Sequence, residues 1–165
     1  MAYGCDSSRI VLPIDATKDG FDFLVTADKP RERLQSALKK KLGYIAHRET
    51  RDVEVLQLVV KVPNAPGLKP GTVEPGRVDY NNGRLYHKYQ PIAALVRYLE
   101  QMLKQPVRDK TGLTGFYDYS VDWNLHIRTG TPTQGDFAKS LQAMGLALVP
   151  GRDQLDMLMV EQASP

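Results

Sequence analysis

The chain has 165 residues, of which 42% are hydrophobic and 25% charged, with 22 Lys and Arg against 19 Asp and Glu. That length fits one domain of ordinary size or two very small ones, and is enough to bury a core without help from disulfides or metals. No apolar run approaches the ~18–20 residues that cross a bilayer, the net charge of +3 falls short of a nucleic-acid footprint, and 11 prolines and 13 glycines are too scattered for a disordered or collagen-like chain.

Cys5 is the only cysteine, which excludes an intramolecular disulfide, a cysteine-pair redox motif and a multi-cysteine metal site. It follows Ala2-Tyr3-Gly4 in a setting loosely like the end of a lipoprotein signal, but no basic or apolar region precedes it in this chain. Phe21 to Thr26 alternates in the strand manner after the turn signal Lys18-Asp19-Gly20. Asp28 is placed to cap a helix that has Pro30 in its first turn, Leu34, Ala37, Leu38 and Leu42 on one face, and Gly43 as its stop. Residues 44–48 then read as a strand, 49–52 as a turn and Val53 to Val60 as the strongest strand in the sequence.

Residues 63–82 hold Pro63, Pro66, Gly67, Pro70, Gly71, Pro75 and Gly76, and read as a long ordered connection. Beyond it, 84–89 is a strand and Pro91 opens a helix that buries Ile92, Leu95, Val96 and Leu99. Pro106 to Arg108 begins a short strand, 109–115 a turn, and 116–123 a strand rich in aromatic residues. A loop spans 124–133. A third helix, 134–144, presents Phe137, Leu141 and Met144 and ends at Gly145, and 146–160 folds as a hairpin about Pro150-Gly151.

The segments 43–60 and 145–160 share one plan: a helix stopped by glycine, a short apolar strand, a turn containing Arg and Asp, and a longer strand. The expected architecture is an α+β domain of two βαββ-like units with antiparallel sheets and three helices packed on them. A single domain covers 1–165, with the first unit at 20–62, the connection at 63–82, and the second unit, with its extra helix and hairpin, at 83–162.

The chemistry-bearing residues are sparse. His47, His87 and His126 lie far apart, so no helical metal pair exists. His47, next to Arg48 and Glu49, invites a general-base reading, against the simpler one of a partly buried hairpin histidine. There is no nucleophile elbow and no dinucleotide fingerprint. Lys110-Thr111-Gly112-Leu113-Thr114-Gly115 has the wrong order for a phosphate loop and reads as a compact turn. Asp118 and Asp122 share a strand face ~13 Å apart, too far for a glycosidase pair, and Asp118 is expected to bond neighbouring turn amides. Tyr86, Tyr89, Tyr117, Tyr119 and Trp123 fall on two strands and form either a stacking platform or core and edge packing. Arg31, Arg33, Lys39, Lys40, Lys41, Arg48 and Arg51 make the one basic excess, read as a patch for phosphate, an acidic partner or a lipid surface, or as a solvated helix face.

At Ala2-Tyr3-Gly4, His47-Arg48-Glu49-Thr50, Gly67-Leu68-Lys69-Pro70 and above all Asp109-Lys110-Thr111-Gly112-Leu113-Thr114-Gly115-Phe116-Tyr117-Asp118, the sequence resembles a family of unknown function from acidobacterial and related soil genomes, a Solibacter-type paralogous family. The resemblance runs nearly to Val160 and implies a secreted or envelope protein, with Met1 marking a trimmed start and the export signal outside this chain. The second half is also similar in pattern to the small N-terminal modules of secretins and TonB-dependent transducers, which bind other envelope proteins.

The resulting expectation is a non-catalytic periplasmic or secreted module, without cofactor or metal, that contacts another protein or itself through an open sheet edge and the basic helix face. The residues assigned to its surface are Arg31, Lys39, Lys40, Tyr86, Tyr117, Tyr119 and Trp123. The alternatives are a small-ligand or glycan sensor built on Tyr86, Tyr117, Tyr119 and Trp123, and an enzyme using His47 and Glu49.

Overall fold

The computed structural model describes residues 2–17, 19, 20, 22–24, 26, 28–72, 76–81, 84–122, 130 and 132–163. Among them are three α-helices, α1 (Pro30–Leu42), α2 (Ile92–Leu103) and α3 (Gln134–Ala143). The strands are β1 (Ile10–Val11), β2 (Tyr44–Val60), β3 (Leu68–Pro70), β4 (Arg77–Asn81), β5 (Arg84–Pro91), β6 (Val107–Asp109), β7 (Phe116–Asp122) and β8 (Leu146–Gln162). They form two four-stranded sheets, ordered β1-β8-β2-β6 and β3-β7-β5-β4. The fold is α+β, and no helix among the described residues is long and apolar enough to cross a membrane.

By density of internal contacts the chain divides into two compact units, 1–53 with 154–165, and 54–153. In the first, β1 pairs in parallel with β8 at Ile10↔Leu158 and Val11↔Met159. The residues described at 22–24 and 26 form no strand. Alternation alone does not make a strand, which needs a neighbour to pair with, and the described partner of β8 here is the β-branched pair Ile10-Val11. α1 begins with Pro30 at its first position, where the missing N–H costs nothing. Its N-cap is Lys29 in the left-handed conformation, not Asp28, and no side chain caps it. Leu34, Ala37, Leu38 and Leu42 are half-buried, and no residue of α1 is fully buried. Cys5, Leu155, Met157 and Leu158 are the buried apolar residues of this unit, and Arg48 ties it together, pairing with Asp156 and donating to the Tyr3 carbonyl at 3.0 Å.

Both expected hairpins are instead continuous 17-residue strands, β2 and β8. Glu49-Thr50-Arg51-Asp52 lacks the Gly or Asn that a tight hairpin needs for positive φ. Pro150-Gly151 has the look of a turn, but a Cβ at Gly151 would meet the Gln57 side chain at 2.6 Å, so the glycine makes room for a β2 side chain inside the strand.

In the second unit β6 pairs in parallel with β2, from Leu56↔Val107 to Leu58↔Asp109. The other sheet is antiparallel throughout, with β5 and β7 at its centre. The stretch 63–82 therefore supplies β3 and β4, the two outer strands of that sheet, where proline is tolerated because an edge N–H needs no partner. One core joins the elements: Leu56 and Leu58 of β2, Ile92, Leu95 and Leu99 of α2, Tyr119 and Val121 of β7, Phe137 and Leu141 of α3, with Met144 and Leu146.

Each long strand starts at a glycine in the left-handed region, Gly43 at φ +70 and Gly145 at φ +71. A Cβ on Gly43 would meet nothing within 4 Å, whereas one on Gly145 would sit 2.0 Å from the Val62 carbonyl oxygen. Gly43→Ala is therefore expected to cost about 1 kcal/mol, the conformational penalty alone. Gly145→Ala adds a backbone clash and is expected to cost more than ~3 kcal/mol. Urea denaturation of the two variants measures the difference, and equal losses would show that the close approach at Gly145 carries no weight.

Candidate functional site

A concavity lies in the second unit beside α3. A capping box starts this helix: the Thr133 N–H donates to Asp136 Oδ2 at 2.8 Å, and the Thr133 hydroxyl lies 2.7 Å from the same oxygen. These contacts, the backbone one first, hold the Asp136 carboxyl below the usual carboxylate range. One flank of α3 is buried through Phe137, Ser140 and Leu141. Ser140 Oγ accepts from the Asp122 N–H at 2.8 Å and donates to the Asp122 carbonyl at 3.2 Å, which fastens the helix to β7. The opposite flank, with Gly135 and Ala138, is exposed and too small to close over the neighbouring strand.

A cleft of about 510 Å³ results, walled by that flank together with Leu141, by Lys61 and Val62 just past β2, and by the start of β8 from Gly145 to Leu148. Gly145, just before β8, and Leu146, Ala147 and Leu148 at its start all line the cleft. β1 pairs with β8 only at Leu158 and Met159, so along 146–149 that edge of β8 carries no strand among the described residues.

A second feature of this unit is a buried aromatic stack. β5 and β7 place His87 directly opposite Tyr119, and the rings stack with centroids 4.5 Å apart and planes 13° from parallel. Tyr98 of α2 meets His87 edge-on at 6.1 Å and meets Phe137 likewise. His87 is 4% exposed and Tyr119 5%. Both imidazole nitrogens and the hydroxyls of Tyr98 and Tyr119 have no hydrogen-bond partner among the described residues. Burial lowers the His87 pKa, pushes Tyr98 up to about 12 and raises Tyr119 further. All three are neutral at neutral pH.

Arg31, Lys39 and Lys40 are exposed on α1 of the first unit, while the tyrosines belong to the second. Tyr86 pairs with Ser120, so it lies on the opposite sheet face from Tyr117 and Tyr119, and the Arg84 guanidinium sits 5.8 Å from its ring centroid. Tyr117 packs against the core and donates to the Thr114 carbonyl at 2.9 Å, and Tyr119 is in the core itself. The pleat thus splits the tyrosines between two faces. Trp123 and His126 lie outside the described residues. Asp118 accepts from the Tyr89 N–H at 2.8 Å, across the sheet and not in a turn, at a bulge where Tyr89 adopts φ +50. Asp122 pairs with Arg84.

His47 is half-exposed in a continuous strand, with Nδ1 3.3 Å from Glu161 and Nε2 3.9 Å from Glu49. Glu49 is held below the usual carboxylate range by its hydrogen bond from Arg51. This charged group sits on the surface of the first unit. Residues 109–113 are the compact turn expected, with Asp109 Oδ1 accepting from the Thr111 N–H and hydroxyl at 2.9 and 2.7 Å. Among the described residues no group of three or more His, Cys, Asp or Glu is placed to hold a metal. The α3 cleft was missed in the sequence, where its only trace is the small pair Gly135 and Ala138 on an otherwise ordinary helix.

The orphaned nitrogens of His87 set two expectations. His87→Phe keeps the aromatic stack, removes two unpaired polar atoms and is expected to raise stability by about 1 kcal/mol. The folded-state pKa of His87 lies below the unfolded one of ~6.5, so on acidification the unfolded chain binds this proton first. The stability it contributes is complete above ~pH 6.5 and declines as pH falls towards the lower folded value. Urea denaturation between pH 5 and 8 should show this decline in the wild type and a smaller one in His87→Phe. Equal slopes would exclude His87 as the source.

No curated protein and no solved structure matches the chain. The family described as Protein of unknown function (DUF3738) matches residues 1–163, and the chain belongs to that family.

Proposed function

We propose that this protein is a non-catalytic module of the bacterial envelope or of the secreted fraction, and that it works by taking an extended segment of another protein into the cleft between α3 and β8. The observation that carries this reading is an apolar cleft lined by the start of β8, a strand whose outer edge at 146–149 has no strand neighbour among the described residues. Such an edge presents backbone N–H and C=O groups in the spacing of a strand, and the chemistry that satisfies them is another extended backbone. Leu141, Leu146, Leu148 and Val62 favour apolar side chains at alternate positions of the guest, and Lys61 at the wall favours an acidic residue beside them. The envelope assignment rests on the family resemblance in the N-terminal, loop and Asp-Lys-Thr-Gly motifs. The non-catalytic assignment is supported by the closed burial of His87 and the open placement of His47.

The test is a photo-crosslinking residue at Gln142, introduced in the native cells and followed by mapping of the captured segment. A synthetic peptide of that segment should bind the purified full chain, and Ala138→Trp, which fills the cleft from an exposed helix position, should weaken it at least tenfold. The reading fails if capture at Gln142 matches that of a control residue on α1, or if the peptide binds Ala138→Trp unchanged.

A further inference from the structure

We infer that the first unit carries a docking surface for anionic membrane lipid, formed by the last turn of α1 and the chain turn around Ile14. Among the described residues of 12–24, Leu12, Ile14, Phe23 and Leu24 are exposed, Ile14 and Leu24 almost wholly so, at 108% and 93%. The turn that carries Ile14 is held in place: Asp15 accepts from Gln162 Nε2 at 2.9 Å and the Thr17 N–H donates to the Tyr44 hydroxyl at 3.2 Å. Tyr44 directly follows Gly43, the stop of α1, so this turn sits at the helix end that bears Lys39, Lys40 and Lys41.

Three consecutive residues fan through ~200° around a helix axis. They cannot all face a surface lying along the side of α1, but they can all reach one that meets its end. The usual duty of such lysines is to serve the last carbonyls of the helix. Here the backbone serves two groups at that end, with the Gly43 N–H bonded to the Lys39 carbonyl at 3.0 Å and the Ala163 N–H to the Gly43 carbonyl at 2.6 Å. No ion pair among the described residues involves Lys39, Lys40 or Lys41. Asp15 and Asp19 lie in the same turn and reduce its net charge, so cations alone make a weak site. The exposed Ile14 decides for lipid over an acidic protein, because headgroups take the ammonium charges while the acyl boundary takes the aliphatic side chain.

The test is co-sedimentation of the full chain with vesicles of phosphatidylglycerol and phosphatidylcholine, against pure phosphatidylcholine. Binding is expected to the anionic vesicles and to fall with added salt. The triple variant Lys39→Glu, Lys40→Glu, Lys41→Glu should lose at least tenfold, and Ile14→Asp at least fivefold. All four positions are exposed, so the variants should remain folded, with a modest fall in urea midpoint for the triple variant from the reversed charge at the helix end. Ala138→Trp should bind vesicles as the wild type does, which separates this surface from the α3 cleft. Equal binding to both vesicle types, or none to the anionic ones at low salt, overturns the inference. So does full retention by the triple variant. Binding to polyglutamate as tight as to vesicles, with Ile14→Asp unaffected, would assign the surface to an acidic protein instead.

Discussion

The approach of the Val62 carbonyl to Gly145 is the contact around which the second unit is arranged. The Gly145 carbonyl accepts from the Lys61 and Val62 N–H groups at 2.8 and 3.0 Å, and its α-carbon lies too close to Val62 to carry a side chain. Gly67 makes a similar approach to the Ala143 carbonyl, accepted at 3.1 Å by that oxygen. Two glycines thus seat the C-terminal end of α3 against the end of β2 and the chain leading to β3. With the helix fixed there and fastened to β7 through Ser140, its exposed flank runs beside β8 and cannot close upon it. The cleft is a consequence of that seating, and of the small side chains at Gly135 and Ala138.

The core carries a polar burden that its packing offsets. His87, Tyr98 and Tyr119 bury large ring surfaces against Phe137, and aromatic burial dominates core energetics. Their polar atoms find no hydrogen-bond partner among the described residues, at roughly 1–3 kcal/mol for each unsatisfied group. Nearby, the bulge between His87 and Gln90 puts Tyr89 at positive φ, and the Asp118 carboxylate receives the N–H that the bulge turns away from the ladder. Asp118 and the histidine, both legible as chemistry, are thus explained by how the strands β5 and β7 are held together.

The proposed contact surfaces are the apolar cleft beside α3 in one unit and the cationic helix end with exposed aliphatic side chains in the other. The tyrosine face that would have stacked sugars is divided by the pleat, because Tyr86 and Tyr119 occupy positions of opposite parity in adjacent paired strands.

Local rules determined a good deal of this protein. α2 and α3 carry apolar residues on a 3.6 period with proline or a turn at their starts, Gly43 marks the end of α1, and β5, β6 and β7 follow from alternation and turn residues. Each signal is set by neighbours a few positions away, so it survives in the sequence. The segments at 44–60 and 146–162 show the limit. Their shared plan was legible, but whether Arg51-Asp52 or Pro150-Gly151 reverses the chain depends on whether a partner strand lies alongside, and Gly151 answers to Gln57, almost a hundred residues away. The edge along β8, the fate of 63–82 as two outer strands, and the cleft beside α3 were decided only in three dimensions. They depend on which backbone groups find partners across the sheet, and sequence order does not carry that pairing.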